Sequence, residues 1–383
     1  MSSADGTAPV ATNQDKALAD MYADMDRHHL FGFWAVSTEK SHDEVERLKE
    51  SRRAVPHVWR YKDIEPILHT SAELITMENS ERRSLILVNP GLAPSKATTT
   101  TLYTAYRLND PNEIMPPHRH SPNAVRFGLT GKQNFTGVEG ENITFGPGDL
   151  VLTPHDTWHN HGNVGDEPAI NVSVLDLPLV ETLNAMYFEH DYTEEIDGQK
   201  VRKKIQSARF AEDYSEAIYG AGGLRPRFVG HHRGTGNASP MYVYRWEAMQ
   251  RALERLRDYD GSPYEGISIE YTDPLTGASP YKTTAFFAQL MRPGEKLLPS
   301  RQGASLICTV FEGRGHSIIG GTRYDWDKFD TFAVPGGTWC QHVNDDPDND
   351  AILFVASDEP TLKALGFYRR LGRTASGEVV RID

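Results

Sequence analysis

Two short histidine pairs carry the strongest chemical signal in this chain: His118-Arg119-His120 and, further along, His159-Asn160-His161. Side chains alternate across a β-strand, so an H-x-H pair on a strand points both imidazoles to one face. A third imidazole from a neighbouring strand completes a three-nitrogen face. Neutral imidazole suits iron, zinc, copper, manganese or nickel alike. The competing reading, two chance pairs on a surface, is weak because the residues around the pairs also follow a pattern.

Those histidines need strands to hold them, and the chain supplies strands from Thr98 onward. Short apolar runs such as AVRFGLTG, QNFTGVEG, LVLTP and AINVSVLDLP follow one another with Gly, Pro, Asn or Asp between them. This is the texture of an antiparallel sandwich or barrel. Helical spacing is expected near Lys16–His29, Glu44–Arg52, Asp63–Leu74 and Tyr244–Tyr259. From about Lys282 the strand texture returns. The second β-rich stretch repeats the first: Pro154, Trp158, His161 and Asn163 match Pro335, Trp339, His342 and Asn344, each 181 positions on, and Gly131 matches Gly313, 182 on. One module written twice accounts for the 383 residues. The expected division is a helical arm over 1–95, a first module over 96–182, a helical connector over 183–275, a second module over 276–362 and a tail over 363–383.

Composition narrows the function classes. Asp+Glu number 53 against 40 Lys+Arg, a formal net charge of -13, and no basic stripe for nucleic acid is present. Two cysteines, Cys308 and Cys340, exclude a disulfide framework or a four-cysteine zinc site. Without an apolar leader or a run of about 18 apolar residues, neither secretion nor a membrane span is expected, and a cytoplasmic location is the default.

The histidine surroundings resemble the cupin pattern, a double-stranded β-helix or jelly roll. Its second half reads here as Gly148, Pro154, Asp156 in a glycine place, His159 and Asn163; its first half reads His118, His120, Ala124 and Gly131. The usual glutamate ligand is absent at Ala124, which leaves His118, His120 and His159 as the metal ligands. In the second copy Ser300, Gln302 and Cys340 stand in their places, so that module is expected to be structural. The fold class expected is an all-β core, a bicupin of two such modules with N-terminal and inter-module helices.

Over most of its length, from about Ala54 to Phe367, the chain is similar to the bicupin gentisate, salicylate and 1-hydroxy-2-naphthoate dioxygenases. The stretches that carry this are AVPHVW, ERRSLILVNPGL, HRHSPNAVRF, GDLVLTP, WHNHGN, LDLP, YRWE and VFEGRG. The resemblance implies Fe(II), one per subunit, on His118, His120 and His159. It also implies O2 as co-substrate and extradiol-type cleavage of an aromatic 2-hydroxy acid between its carboxyl- and hydroxyl-bearing ring carbons. Relatives form homo-oligomers, commonly tetramers. Arg126 follows His120 at even spacing and so faces the same interior, where a guanidinium grips a carboxylate with two donors. Arg82 matches a family arginine that reaches the substrate, although Arg83 stands beside it. His161 shares the face of His159 and is read as a hydrogen-bond or proton-transfer partner of the substrate, against a core histidine as the plainer alternative. His155 is read as a loop residue, and His231-His232 as part of a Gly-rich loop. Asn123 is read as a side-chain amide that orients the metal histidines.

Two departures bear on the substrate. Gentisate-cleaving relatives tend to carry an Asp where this chain has Ser173, and salicylate-type members often carry Trp where it has Tyr103. Both residues are expected to line the substrate site. Losing an acceptor for a second hydroxyl and gaining width favours 1-hydroxy-2-naphthoate, with gentisate or a substituted salicylate as the alternative. An O2-independent metal isomerase or decarboxylase, and a non-catalytic bicupin, are the readings from other classes.

Overall fold

The computed structural model describes residues 13–30, 53–75 and 83–383. They fall into two units, divided between Arg53 and Ala54. The first shows one helix, Asn13–Arg27, whose Leu18, Met21 and Tyr22 remain exposed. The helix expected over Glu44–Arg52 lies outside the described residues. Among the described residues no helix is long and apolar enough to cross a membrane.

The second unit is the duplicated β-module. Strands Tyr103–Asn109, Ala124–Thr130, Leu150–Thr153 and Ala169–Leu175 form the large sheet of the first copy; Ala285–Met291, Leu306–Glu312, Thr331–Val334 and Ala351–Ser357 form that of the second. Three of these pairs of strands begin 182 positions apart and the fourth 181 apart, and the strand order matches. The repeat read from a few Pro, Trp, His and Asn positions is therefore a repeat of sheet topology. Within each module a smaller sheet closes over the large one: Asn134–Val138, Glu141–Phe145 and His159–Asn163 in the first, with Gly315–Ile319, Thr322–Trp326 and Trp339–Asn344 their counterparts.

Alternation gives each large sheet two faces. Tyr106, Leu108, Val125, Phe127 and Val172 join Phe286, Ala288, Ile352 and Phe354 of the other module in one apolar core. At its centre the Phe127 and Phe354 rings lie face to face, 4.1 Å apart and 6° from parallel. The Tyr106 hydroxyl reaches across to Thr331 Oγ1 at 2.7 Å. The opposite face of the first sheet carries Arg107, Arg126, Asn171 and Ser173, all buried. Their counterparts in the second sheet are Gln289, Cys308, Leu353 and Val355.

The segments outside the modules are less helical than expected. Within 1–95, strand His57–Trp59 pairs with Thr331–Val334 of the second module, and Ser84–Ile86 pairs with Tyr103–Asn109 of the first. Within 183–275 the one long helix is Trp246–Leu256; before it come only two six-residue helices, Leu177–Thr182 just ahead of the segment and Tyr214–Tyr219 inside it. Between them Thr193–Ile196 and Gln199–Arg202 form a hairpin around Asp197-Gly198, both with positive φ. An Asp-Gly pair is a two-residue hairpin signal that the surrounding charges mask. The tail is also part of the barrel, since Arg370–Arg373 pairs with Ser300–Gln302 and with Val379–Arg381. Strands of two to four residues are too short to display a period. The helices Tyr61–Leu74 and Trp246–Leu256 appear close to where spacing places them, although Val243–Tyr244 is a strand rather than the start of the second helix.

The inter-module core generates a stability prediction. Phe354→Ala removes the ring stacked on Phe127 from a fully packed site, and denaturant unfolding should show a loss of about 3–5 kcal/mol.

Candidate active site

Backbone pairing brings the three ligand histidines together. His118 N donates to His159 O and His159 N to His118 O, both at 2.9 Å, so the two residues face each other across a bridge. The chain carrying Glu113 and Ile114 passes close over the same strand: a Cβ at Gly162 would lie 2.1 Å from Glu113 O, so only glycine allows the approach. The imidazole centroids of His118 and His159 are 4.4 Å apart, those of His120 and His159 4.7 Å, and those of His118 and His120 5.7 Å. One nitrogen from each of the three lies within 4.8 Å of the others, and all three residues are at most 3% exposed.

The other ring nitrogen of each is held by the backbone two residues away. His118 Nδ1 meets Pro116 O at 3.3 Å, His120 Nδ1 meets Pro122 O at 2.8 Å and His159 Nδ1 meets Thr157 O at 2.8 Å. A carbonyl only accepts, so each Nδ1 carries the proton and each Nε2 keeps its lone pair. Three neutral imidazoles presenting lone pairs to one point are a donor set that fits a divalent transition metal. Asn123 does not take part in holding them. Its amide donates to Asp176 at 2.9 Å and its carbonyl oxygen accepts the backbone N–H of His155 at 2.9 Å.

Beside this face lies an arginine–histidine pair. Arg126 Nη2 donates to His161 Nε2 at 2.9 Å, and His161 Nδ1 lies 3.1 Å from Thr136 Oγ1. A guanidinium only donates, so His161 Nε2 accepts and its proton sits on Nδ1. Burial, reinforced by Arg126 and Arg107, pushes the His161 pKa well below the ordinary value and keeps the ring neutral. The even spacing that singled out Arg126 thus places it within reach of the histidines, as expected.

The structure also supplies residues that sequence reasoning passed over. Phe188, on strand Phe188–Glu189, pairs with His120, and its ring stacks on His118 at 5.3 Å and 11°. Arg107 is 2% exposed on the strand Tyr103–Asn109, with Nε donating to Asn109 Oδ1 at 3.1 Å and its guanidinium against Met115 Sδ. Its even spacing from Tyr103 was the available signal. Register puts Ser173 between Ala105 and Arg126. Ser173 Oγ donates to Ala105 O at 3.3 Å.

Arg82 is outside the described residues. Arg83 pairs with Glu113, lies 3.3 Å from Asp110, and donates to the carbonyls of Ala72 and Ile75, a structural role. His155 Nδ1 meets Ser121 O at 2.6 Å in its loop, and His231 is held by Tyr219 and Pro226 O, both at 2.9 Å. In the second module burial lowers the His342 pKa to about 4, and Ser317 Oγ holds its ring at 2.7 Å. A second cluster, His316, Asp325 and Asp345, is largely exposed, and Arg323 already pairs with both carboxylates at 2.7 and 3.1 Å.

Two matching β-modules, one with a buried three-histidine face, define a bicupin metal centre. Comparison with known proteins agrees: residues 109–175 match the cupin domain family. The gentisate 1,2-dioxygenase 1 of Aquipseudomonas alcaligenes is 34% identical over 94% of this chain and 97% of its own. The 1-hydroxy-2-naphthoate 1,2-dioxygenase of a Nocardioides strain is 30% identical over 82% of this chain and 77% of its own. A variant of the salicylate 1,2-dioxygenase of Pseudoaminobacter salicylatoxidans, solved in complex with gentisate, superposes with a TM-score of 0.81 at 28% identity, covering 97% of this chain and 98% of the other. The chain belongs to the ring-cleaving 1,2-dioxygenases of the gentisate and salicylate type.

One site of this kind predicts one transition metal per chain after anaerobic purification, measured by mass spectrometry. His159→Ala should remove it and His342→Ala should leave it in place. Chelation should lower the unfolding midpoint, since a metal bound only by the folded chain stabilises it by about 2.7 kcal/mol at a hundredfold excess over Kd.

Proposed function

We propose that this chain holds Fe(II) on His118, His120 and His159 and uses O2 to open the ring of an aromatic 2-hydroxy carboxylate. The bond cut lies between the carboxyl- and hydroxyl-bearing carbons, an extradiol-type cleavage that incorporates both oxygen atoms. The buried face of three neutral imidazoles next to the Arg126–His161 pair carries this reading. When bound, the metal supplies open positions for the acid's two oxygens and for O2, and a path for electron density between ring and oxygen.

The chain's residues supply the rest. Neutral ligands leave the cation its full charge, which draws an organic anion into a protein whose net charge is -13. Arg126 attracts a carboxylate more strongly than a neutral imidazole. As it turns to the substrate, His161 Nε2 is released to accept the phenolic proton, with Thr136 holding the far side of the ring in place. Arg126 and His161 are thus the catalytic residues of this reading, while Phe188 and Tyr103 present flat faces to the aromatic ring. Arg82 remains a substrate contact in the proposal on the strength of the resemblance.

For the acid itself, Arg107 weighs against a wall widened by small residues, because a long buried side chain occupies the same face as Ser173. We therefore favour a one-ring acid of the gentisate or salicylate type. The short Ser173 side chain supports 1-hydroxy-2-naphthoate as the second reading. A homo-oligomer, with four copies favoured, accompanies this function; the exposed Leu18, Met21 and Tyr22 on Asn13–Arg27 support association.

Oxygen-electrode assays on the iron-loaded protein should show uptake equal to substrate consumed. His120→Ala should lose both iron and turnover, whereas Arg126→Ala should keep iron and lose at least about tenfold in kcat/KM, the worth of one charge-assisted hydrogen bond. Substrate loss without oxygen uptake would sink the proposal. If 1-hydroxy-2-naphthoate exceeds gentisate and salicylate in kcat/KM by about tenfold, the Arg107 argument fails and the Ser173 argument stands.

A further inference from the structure

The module that lacks the metal ligands has a cavity of its own. It measures about 470 Å³, within the range of small-molecule sites. Its walls include Ser300, Gln302, Cys340 and His342, the counterparts of His118, His120, His159 and His161. Two further wall positions have changed character between the copies. Gln289 stands where the first module has Arg107, and Arg370 stands where it has Phe188, each 182 positions on.

Three observations describe what this cavity accepts. Phe287, Leu306, Val334 and Val355 form the apolar part of a lining that also carries hydroxyl, amide and charged side chains. Gln289 is 6% exposed and lines the same space, and its Nε2 donor finds no acceptor among the described residues. A buried donor in that condition is costly unless a ligand supplies the acceptor. The charged groups in its lining already have partners. Arg370 pairs with Glu265 at 2.7 Å, Lys363 with Glu359 at 2.5 Å and Asp383 with Arg381 at 2.6 Å, and Glu270 accepts from Ser279 at 2.7 Å. An ionised ligand would have to displace one of these partners.

We propose that the second module is a separate binding site for an uncharged small organic molecule with a flat apolar body and one acceptor oxygen directed at Gln289. The first module, with a metal and buried guanidinium groups, selects anions; the same fold, with those groups replaced, selects neutral molecules. This inference stands independently of the substrate assigned to the first module.

The test uses the full-length, metal-loaded protein and acetophenone as probe, with benzoate and benzylamine as charged probes of similar size. Calorimetric titrations of the wild type are compared with Gln289→Leu, which deletes the donor, and Val355→Phe, which fills the cavity; a cooperative melting transition verifies that each variant is folded. Acetophenone binding should weaken about five- to tenfold in the first variant, the worth of one hydrogen bond, and vanish in the second. Benzoate and benzylamine should bind wild type and variants alike. Acetophenone affinities unchanged in both variants, absence of saturable acetophenone binding, or a charged probe that loses more affinity than acetophenone would overturn the proposal. Should one variant fail to fold, the other alone decides.

Discussion

The structure depends on three backbone carbonyls. Pro116, Pro122 and Thr157 each accept a hydrogen bond from the Nδ1 of a histidine two residues away, which turns three buried Nε2 lone pairs toward one point. Gathering these polar atoms in a dry interior is unfavourable without a cation to share. Backbone acceptors fix ring orientation more rigidly than side chains, because they are part of the strands and turns themselves. The mutual N–H···O bonds of His118 and His159, the glycine at 162 and the Phe188 ring on His118 all serve this convergence.

The duplication shows what the same topology does without that constraint. Strand order and spacing are retained, so the apolar core between the modules stays intact and both copies are needed to bury it. The inner face is free to change. Arg126 becomes Cys308, Asn171 becomes Leu353 and Ser173 becomes Val355, and these three join an apolar cluster beside the second module's cavity. Polar interiors of this type persist only where a ligand or metal satisfies them. The first module is therefore the one whose buried groups call for chemistry.

Much of the site was legible from the chain. Alternation placed Arg126 and the histidine pairs on inward faces, and the cupin spacing identified which three of them converge. Phe188 was not legible, because it reaches His120 through a two-residue strand 68 positions away, too short to show any pattern. Arg107 satisfied the same even-spacing argument as Arg126, yet buried arginine is rare enough that only its burial marks it out. The hairpin at Asp197-Gly198 was hidden in a charged stretch for a related reason, since its strands face water and need no apolar face, and the strand Arg370–Arg373 is only four residues long.

The amino-acid sequence alone determined the duplicated β-module, the loss of ligands in the second copy and the histidines of the first, since these follow from periodicity and from residue identity at fixed spacing. Tertiary structure decided which arginine is engaged elsewhere, as Arg83 is with Glu113 and Asp110, and which aromatic ring covers the imidazoles. It also decided the protonation of His161, through a guanidinium on a different strand. Those outcomes rest on contacts between residues distant in the chain, and local spacing holds no information about them.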